Sequence, residues 1–268
     1  MGTLKSFNHT YQFKNFYFAH ASDSNIKRDD YYRHNHSRYE LYVFFDGDTD
    51  FVLEDRVYQM HPNTILLISP HTYHYAAIRD SDHPYKRLVI NFERLFIYPE
   101  LHSLLDAGNN PFYWDEAKFS PLLADVERSL SVYEQSDAAL LIQLFLNRLL
   151  MELKYSQKSP ASSRMLNPTI TQILTCINEH IHEPLSLKIL ADYTFLNPSY
   201  LSQIFASYMK IGLMDYVKQK KIYLAEEMIR DEKITPTEAS KRLGFSDYST
   251  FYRLYKKYLK DTPSAKHG

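Results

Sequence analysis

Cysteine is nearly missing from this chain. Cys176 is the single one among 268 residues. That excludes an internal disulfide framework and a cysteine-rich zinc site, and leaves a buried helix position as its reading. No apolar run approaches the ~20 residues that span a bilayer. The opening stretch MGTLKSFNHTYQF has no apolar core of the kind a secretory signal carries, so the expectation is a cytoplasmic location without membrane contact. Glycine numbers only six. None builds a phosphate-cradling loop or a Gly-x-Ser-x-Gly elbow, and no helical pattern carries the histidine pair of a metalloprotease. The net charge of −1 hides an asymmetry: residues 1–160 hold 16 Lys+Arg against 21 Asp+Glu, and residues 161–268 hold 15 against 11. A basic C-terminal part suits a polyanionic partner.

What is present is a repeated pattern between Ser186 and Pro263. Leu201, Ile204, Phe205 and Tyr208 stand at the spacing i, i+3, i+4, i+7 of one helix face, and Phe251, Leu254, Tyr255 and Tyr258 repeat it fifty residues on. Each set follows a turn signal, Leu196-Asn197-Pro198 and Gly244-Phe245-Ser246-Asp247, and before that another helical segment. Helix, tight turn and helix, given twice, predict two helix-turn-helix units, whose second helices lie in the DNA major groove. Asn197 is placed to cap the first reading helix with Pro198 at its first position. Gly244 is placed to end the helix before the second. The faces left free carry Ser199, Ser202 and Gln203 on the first helix, and Tyr248, Ser249, Thr250, Tyr252 and Arg253 on the second. Arg253 can make a bidentate contact to guanine, and Lys256 and Lys257 can sit against phosphates. Between the units, a longer helix is expected to bury Val217, Leu224, Ala225 and Met228.

Up to about Leu95 the runs ELYVFFDG, DFVLEDRVYQM, TILLISP and RLVINFE read as strands of a small barrel or sandwich. From Phe119 the period becomes helical, with Phe119, Leu122, Leu123, Val126, Leu130 and Tyr133 on one stripe. The segment ALLIQLFLNRLLMELKY is apolar nearly all round and needs more than one covering partner, the barrel and the same helix of a second subunit. Residues 156–164 read as a linker.

The Ala191, NPSYLSQIF and KKIYLAEEMI segments, and above all GFSDYSTFYRLYKKYLKDTP, resemble the AraC/XylS family of bacterial transcription regulators. By that resemblance the DNA-reading positions fall at Ser199, Ser202, Gln203, Tyr248, Ser249, Thr250 and Arg253. Phe195 stands where the family has a small residue or glycine, Ala206-Ser207 replace a lysine pair, Lys221 stands for an arginine, Ala239-Ser240 replace Ile-Ala, and Lys260 takes a glycine position.

Nine of the 12 histidines lie in the first 102 residues. His34, His36 and Glu40 share even parity, which on one strand turns them to one face, continued by Tyr42 and Phe44. HNHSRYELYVFFDG resembles the first cupin motif. MHPNTILLISPHTYH resembles the second, with His74 as its histidine and Asn63 at a glycine position. In cupin enzymes His34, His36, Glu40 and His74 would hold a metal; in the sensor version the pocket binds a small molecule. His71 reads as a surface loop residue, and His9, His20, His61, His83 and His102 have no constellation around them. With 23 Tyr and 16 Phe in the chain, an aromatic pocket for a sugar or glycoside is expected.

The expected fold class is α+β. An antiparallel cupin-like barrel over 1–108 would carry a helical packing segment over 109–156, a linker over 157–166 and an all-α DNA-binding domain over 167–268. The expected function is a sequence-specific transcription activator that binds double-stranded DNA as a homodimer, contacts RNA polymerase and answers to a carbohydrate effector. His34, His36, Glu40, Tyr42 and His74 would touch that ligand, with no cofactor, metal or catalytic residue. The alternatives are a metal-dependent cupin dioxygenase or isomerase fused to a DNA-binding domain, and a DNA-binding protein whose barrel is ligand-free.

Overall fold

Alternation along the strands decides how the N-terminal half is layered. In a computed structural model, which describes residues 9–13, 16–24, 31, 33–107, 111–156 and 163–264, the chain divides into two compact units, Met1–Arg164 and Met165–Gly268. The first contains the strands β1 (His9–Gln12), β2 (Phe16–Asp23), β3 (Tyr39–Asp46), β4 (Thr49–Leu53), β5 (Arg56–Gln59), β6 (Thr64–Ile68), β7 (His74–Ile78), β8 (Tyr85–Phe92) and β9 (Pro111–Tyr113). Its helices are α1 (His102–Asp106), α2 (Glu116–Leu130) and α3 (Gln135–Tyr155). A short strand β10 (Ser163–Met165) lies on the linker. The larger antiparallel sheet runs β1-β2-β8-β3-β6-β9 and the smaller β10-β5-β4-β7.

Central strands of the larger sheet are apolar on both faces, so both must be covered. Leu41 and Val43, Ile65 and Leu67, and Leu88, Ile90 and Phe92 form one cluster with Phe119, Leu123, Val126, Ile142, Phe145 and Leu149 of the helices. Tyr42, Phe44, Leu66 and Ile68 face the other way, against Phe51, Leu53, Tyr58 and Ala76 of the smaller sheet. Helices, sheet and sheet therefore stack in three layers. Each fully buried aliphatic or aromatic side chain contributes roughly 1.5–3 kcal/mol. An isolated bridge between His34 and His74 ties the segment before β3 to β7 of the smaller sheet. DFVLEDRVYQM is a hairpin of two strands rather than one, with Glu54 at φ 49° in its turn. Asn63 takes φ 70°, the left-handed geometry its glycine-like place implies. The helical stripe is narrower than its sequence suggests: Leu122 is exposed, and Tyr133 lies beyond the end of α2 and is exposed too. A boundary at 108–109 and most of the linker lie outside the described residues. Among the described residues no helix is long and apolar enough to cross a membrane.

The second unit is helical: α4 (Pro168–Glu179), α5 (Leu187–Thr194), α6 (Pro198–Met209), α7 (Leu213–Asp231), α8 (Pro236–Arg242) and α9 (Tyr248–Leu259). Short helices are marginal alone, and this sequence ends them with specific chemistry. Side chains of Asn167, Ser186, Asn197, Thr235 and Asp247 accept from the free N–H groups of α4, α5, α6, α8 and α9, each cap contributing about 1 kcal/mol. Leu201, Phe205, Phe251, Leu254 and Tyr255 are buried as the periodicity predicts, and Cys176 is buried on α4. Tyr208 is exposed, and Met209 completes the buried stripe of α6 in its place, because burial there runs i, i+4, i+8. Val217, Ala225 and Met228 of α7 are buried, with Leu224 packed at the edge of its cluster.

Candidate nucleic-acid interface and ligand pocket

Asn197 accepts hydrogen bonds from the Ser199 and Tyr200 amides, and Asp247 accepts one from the Thr250 amide at 2.7 Å. That last bond holds the Asp247 carboxyl below its usual range, so it stays an anion at the positive end of the helix. These caps set the start, and hence the phase, of α6 and α9. On α6, Ser199 and Gln203 are exposed and Ser202 is half-buried. On α9, Tyr248, Ser249, Tyr252, Arg253, Lys256 and Lys257 are exposed and Thr250 is half-buried. The expected reading residues therefore lie on the helix side away from the core, with Ser202 and Thr250 at its edge. The two faces differ in charge: α6 carries no Lys or Arg along its length, whereas α9 carries Arg253, Lys256 and Lys257. The turns before them share one backbone device. Phe195 at φ 56° and Gly244 at φ 66° both stand in the left-handed region.

The pocket lies between the two sheets of the first unit. Its walls are Glu40 and Tyr42 from β3, Tyr85, Arg87, Val89 and Asn91 from β8, Phe51 from β4, His74 and Ala76 from β7, and Tyr31, His34 and His36 from the segment before β3. The cavity measures about 200 Å³. His34 and His36 are not on one strand with Glu40, as parity suggests, since β3 begins only at Tyr39. They converge because the segment folds back. The backbone of His34 exchanges hydrogen bonds with that of His74, and the His71 amide donates to the His36 carbonyl at 2.7 Å. His71 is half-buried with φ 63°.

Glu40 is buried, 3.0 Å from His36 Nε2 and 3.7 Å from His74 Nε2, and accepts from Asn91 Nδ2 at 2.8 Å. Burial raises its pKa, but the hydrogen bonds and charge of the two histidines outweigh that and hold the carboxyl well below its usual value. Burial likewise pulls His74 down, and the Glu40 carboxylate pulls it further up. A ring nitrogen facing a carbonyl must be the donor. His36 Nδ1 therefore donates to Arg38 O at 2.9 Å, and His74 Nδ1 to Thr72 O at 2.8 Å. Both Nε2 atoms are thereby turned toward the Glu40 carboxylate at the cavity wall. Ligand nitrogens of His34, His36 and His74 come within 4.8 Å of one another. Such a donor set fits a divalent transition metal whose ligands are oriented by backbone carbonyls.

The opposite wall went unread in the sequence. Arg87 donates to Asp23 at 2.8 Å and lies 4.8 Å and 4.6 Å from the ring centres of Tyr31 and Tyr85. The hydroxyls of Tyr42 and Tyr85 meet at 2.7 Å, and burial raises both phenols, so they remain neutral hydrogen-bonding groups. Arg87 and Asn91 sit at the polar positions of an alternating strand and so read as solvent-facing; the smaller sheet covers them. Three histidines also have partners the sequence does not reveal. His20 pairs with Glu127 of α2, both buried; His83 lies 3.1 Å from Asp46; and His102 Nε2 is 3.0 Å from Ile97 O.

Comparisons agree with this division of labour. A model of the AraC-like ligand binding domain matches residues 21–153, and one of a helix-turn-helix domain matches residues 190–266. The chain is 24% identical over 246 residues to the uncharacterized HTH-type transcriptional regulator YfiF of Bacillus subtilis, covering 86% of this chain and 76% of that one. It is 27% identical over 114 residues to the regulatory protein PocR of Salmonella typhimurium, and there spans 41% of its own length and only 38% of PocR's. A solved Listeria innocua protein of unknown function is 33% identical over 36% of this chain and 92% of that one, with a TM-score of 0.35.

Proposed function

Because the chain belongs to the AraC family of ligand-regulated, DNA-binding transcription regulators rather than to a family of enzymes, we propose that it is a cytoplasmic activator that reads its operator with α6 and α9 and answers to a sugar or glycoside held between its sheets. The observation that carries the DNA half is the pair of capped helices with exposed faces, Ser199, Ser202 and Gln203 on one and Tyr248, Ser249, Thr250 and Arg253 on the other. Arg253 supplies base discrimination of roughly 1–3 kcal/mol; Lys256 and Lys257 grip phosphates without reading sequence. The test is Arg253→Ala, titrated at one salt concentration against duplexes selected by the wild-type protein and against random duplexes. The selected set should lose much more affinity; equal losses refute base reading.

Phe51, Tyr31 and Tyr85 offer ring faces, while Glu40, Asn91, His34, His36, His74, Tyr42 and Arg87 offer hydrogen bonds. That mixture suits a polyhydroxylated ring. A ligand acts only through its differential affinity for two states, and a true effector raises the melting temperature with saturation. A panel of monosaccharides and glycosides in thermal shift identifies it; silence across the panel counts against a sugar. A second reading, favoured by the convergence of the His34, His36 and His74 ring nitrogens within 4.8 Å, places a metal ion on these three histidines as part of the ligand site. Stoichiometric metal lost in His74→Ala supports it, and protein free of metal after supplementation refutes it.

The family implies neither subunit number nor direction of control. Leu140, Leu144, Met151 and Tyr155 form an exposed apolar strip along α3, and this supports pairing with the same helix of a second copy. Activation would bring contact with RNA polymerase, testable by run-off transcription with and without effector.

A further inference from the structure

The longer helix α7 joins the two reading units, and one of its lysines is out of place by the usual rules. Lys221 is 5% exposed in the middle of that helix, although a buried ammonium is costly unless its donors are satisfied. It donates to the carbonyl of Glu183 and, at 2.7 Å, to that of Leu243. Those acceptors belong to different units. Glu183 lies in the turn that leads to α5, the supporting helix of the first unit. Leu243 caps the C-terminus of α8, the supporting helix of the second.

The same point is a close backbone junction. A Cβ on Gly244 would stand 2.7 Å from Glu183 C and 2.7 Å from Pro184 N, so the turn before α9 touches the turn before α5 main chain to main chain. The first of these turns is itself braced. Glu183 accepts from His180 at 3.0 Å and from Tyr193 at 3.2 Å, and the His180 and Tyr193 rings stack at 4.0 Å.

We infer that Lys221 is a positioning residue that fixes the separation of the two reading helices, by holding one carbonyl of each unit on a single buried charge with Gly244 as the contact beside it. It touches no base. Its effect is on the distance between the two base sets that the protein reads. This inference rests on the two-helix reading above.

The test uses the full chain and a randomised duplex library, with selected duplexes sequenced. Wild type should select two base blocks about one helical turn apart, ~10 base pairs, at a single spacing. Lys221→Met removes the shared donor. Gly244→Ala wedges the junction from its other side and leaves the lysine in place. Both should select the same two blocks with the spacing spread over one or more additional base-pair values. Variants that keep the single wild-type spacing overturn the inference. So does the loss of one block in Lys221→Met, because Lys221 would then serve the fold of one unit and not the distance between two. A wild type that selects no paired blocks overturns the two-helix reading itself.

Discussion

Replacing Phe195 by glycine should stabilise the first helix-turn-helix unit, although it deletes an aromatic ring. The turn demands φ 56° at this position, which costs an L-residue roughly 1–2 kcal/mol and glycine nothing. The ring returns little, being 93% exposed. Glycine enlarges the freedom of the unfolded chain, worth about 0.4–1 kcal/mol in the opposite direction. The difference is a net gain of roughly 0.5–1 kcal/mol, which corresponds to a slowing of local opening by about 2- to 5-fold. Trp114 is the single tryptophan and lies in the other unit, so its fluorescence does not report this change. Hydrogen exchange of the α5 and α6 amides, under conditions where exchange follows the opening equilibrium, does. Faster exchange in Phe195→Gly would refute the reasoning, for it would mean that the ring makes a stabilising contact. The second turn provides the mirror image. Gly244→Ala adds a Cβ at φ 66° and 2.7 Å from a neighbouring main chain, and α8 and α9 should open more readily, at a cost of roughly 2–4 kcal/mol.

Leu144→Glu puts a charge into the exposed strip of α3 and should convert a sedimenting dimer to monomer at micromolar concentration; an unchanged sedimentation coefficient rejects that interface. Converting Lys256 and Lys257 together to alanine should lower the slope of log affinity against log salt by about 2 on any duplex sequence, and an unchanged slope would show that neither lysine meets a phosphate. Burial pushes the Lys221 ammonium from 10.5 to about 8. Between those values the unfolded chain holds a proton that the folded chain has shed, so stability rises with pH across that window. The unfolding free energy of wild type minus Lys221→Met should therefore climb from pH 8 to pH 10, and a flat or falling difference contradicts the assignment.

The DNA-reading half was legible because its chemistry is local. A cap and the amide it satisfies lie two or three residues apart, as with Asn197 and Ser199 or Asp247 and Thr250. A buried stripe repeats within one helix. The same locality misplaced Tyr208, because the choice between it and Met209 depends on how α6 sits against its neighbours. It also left Lys221 as a mere substitution for arginine, because its acceptors are 38 and 22 residues away.

Residue order alone determined where helices start and stop in the second unit, which of their faces are apolar, and that the first half is built of paired strands, since each of these follows from interactions within a few bonds or one repeat. Tertiary structure alone decided what stands opposite the histidines in the pocket. Arg87 and Asn91 have the polar alternation of an exposed strand until a second sheet covers them, and His20 meets Glu127 across 107 residues of chain. Burial and partnership at that range depend on which surfaces pack together, and no short window of sequence contains that choice.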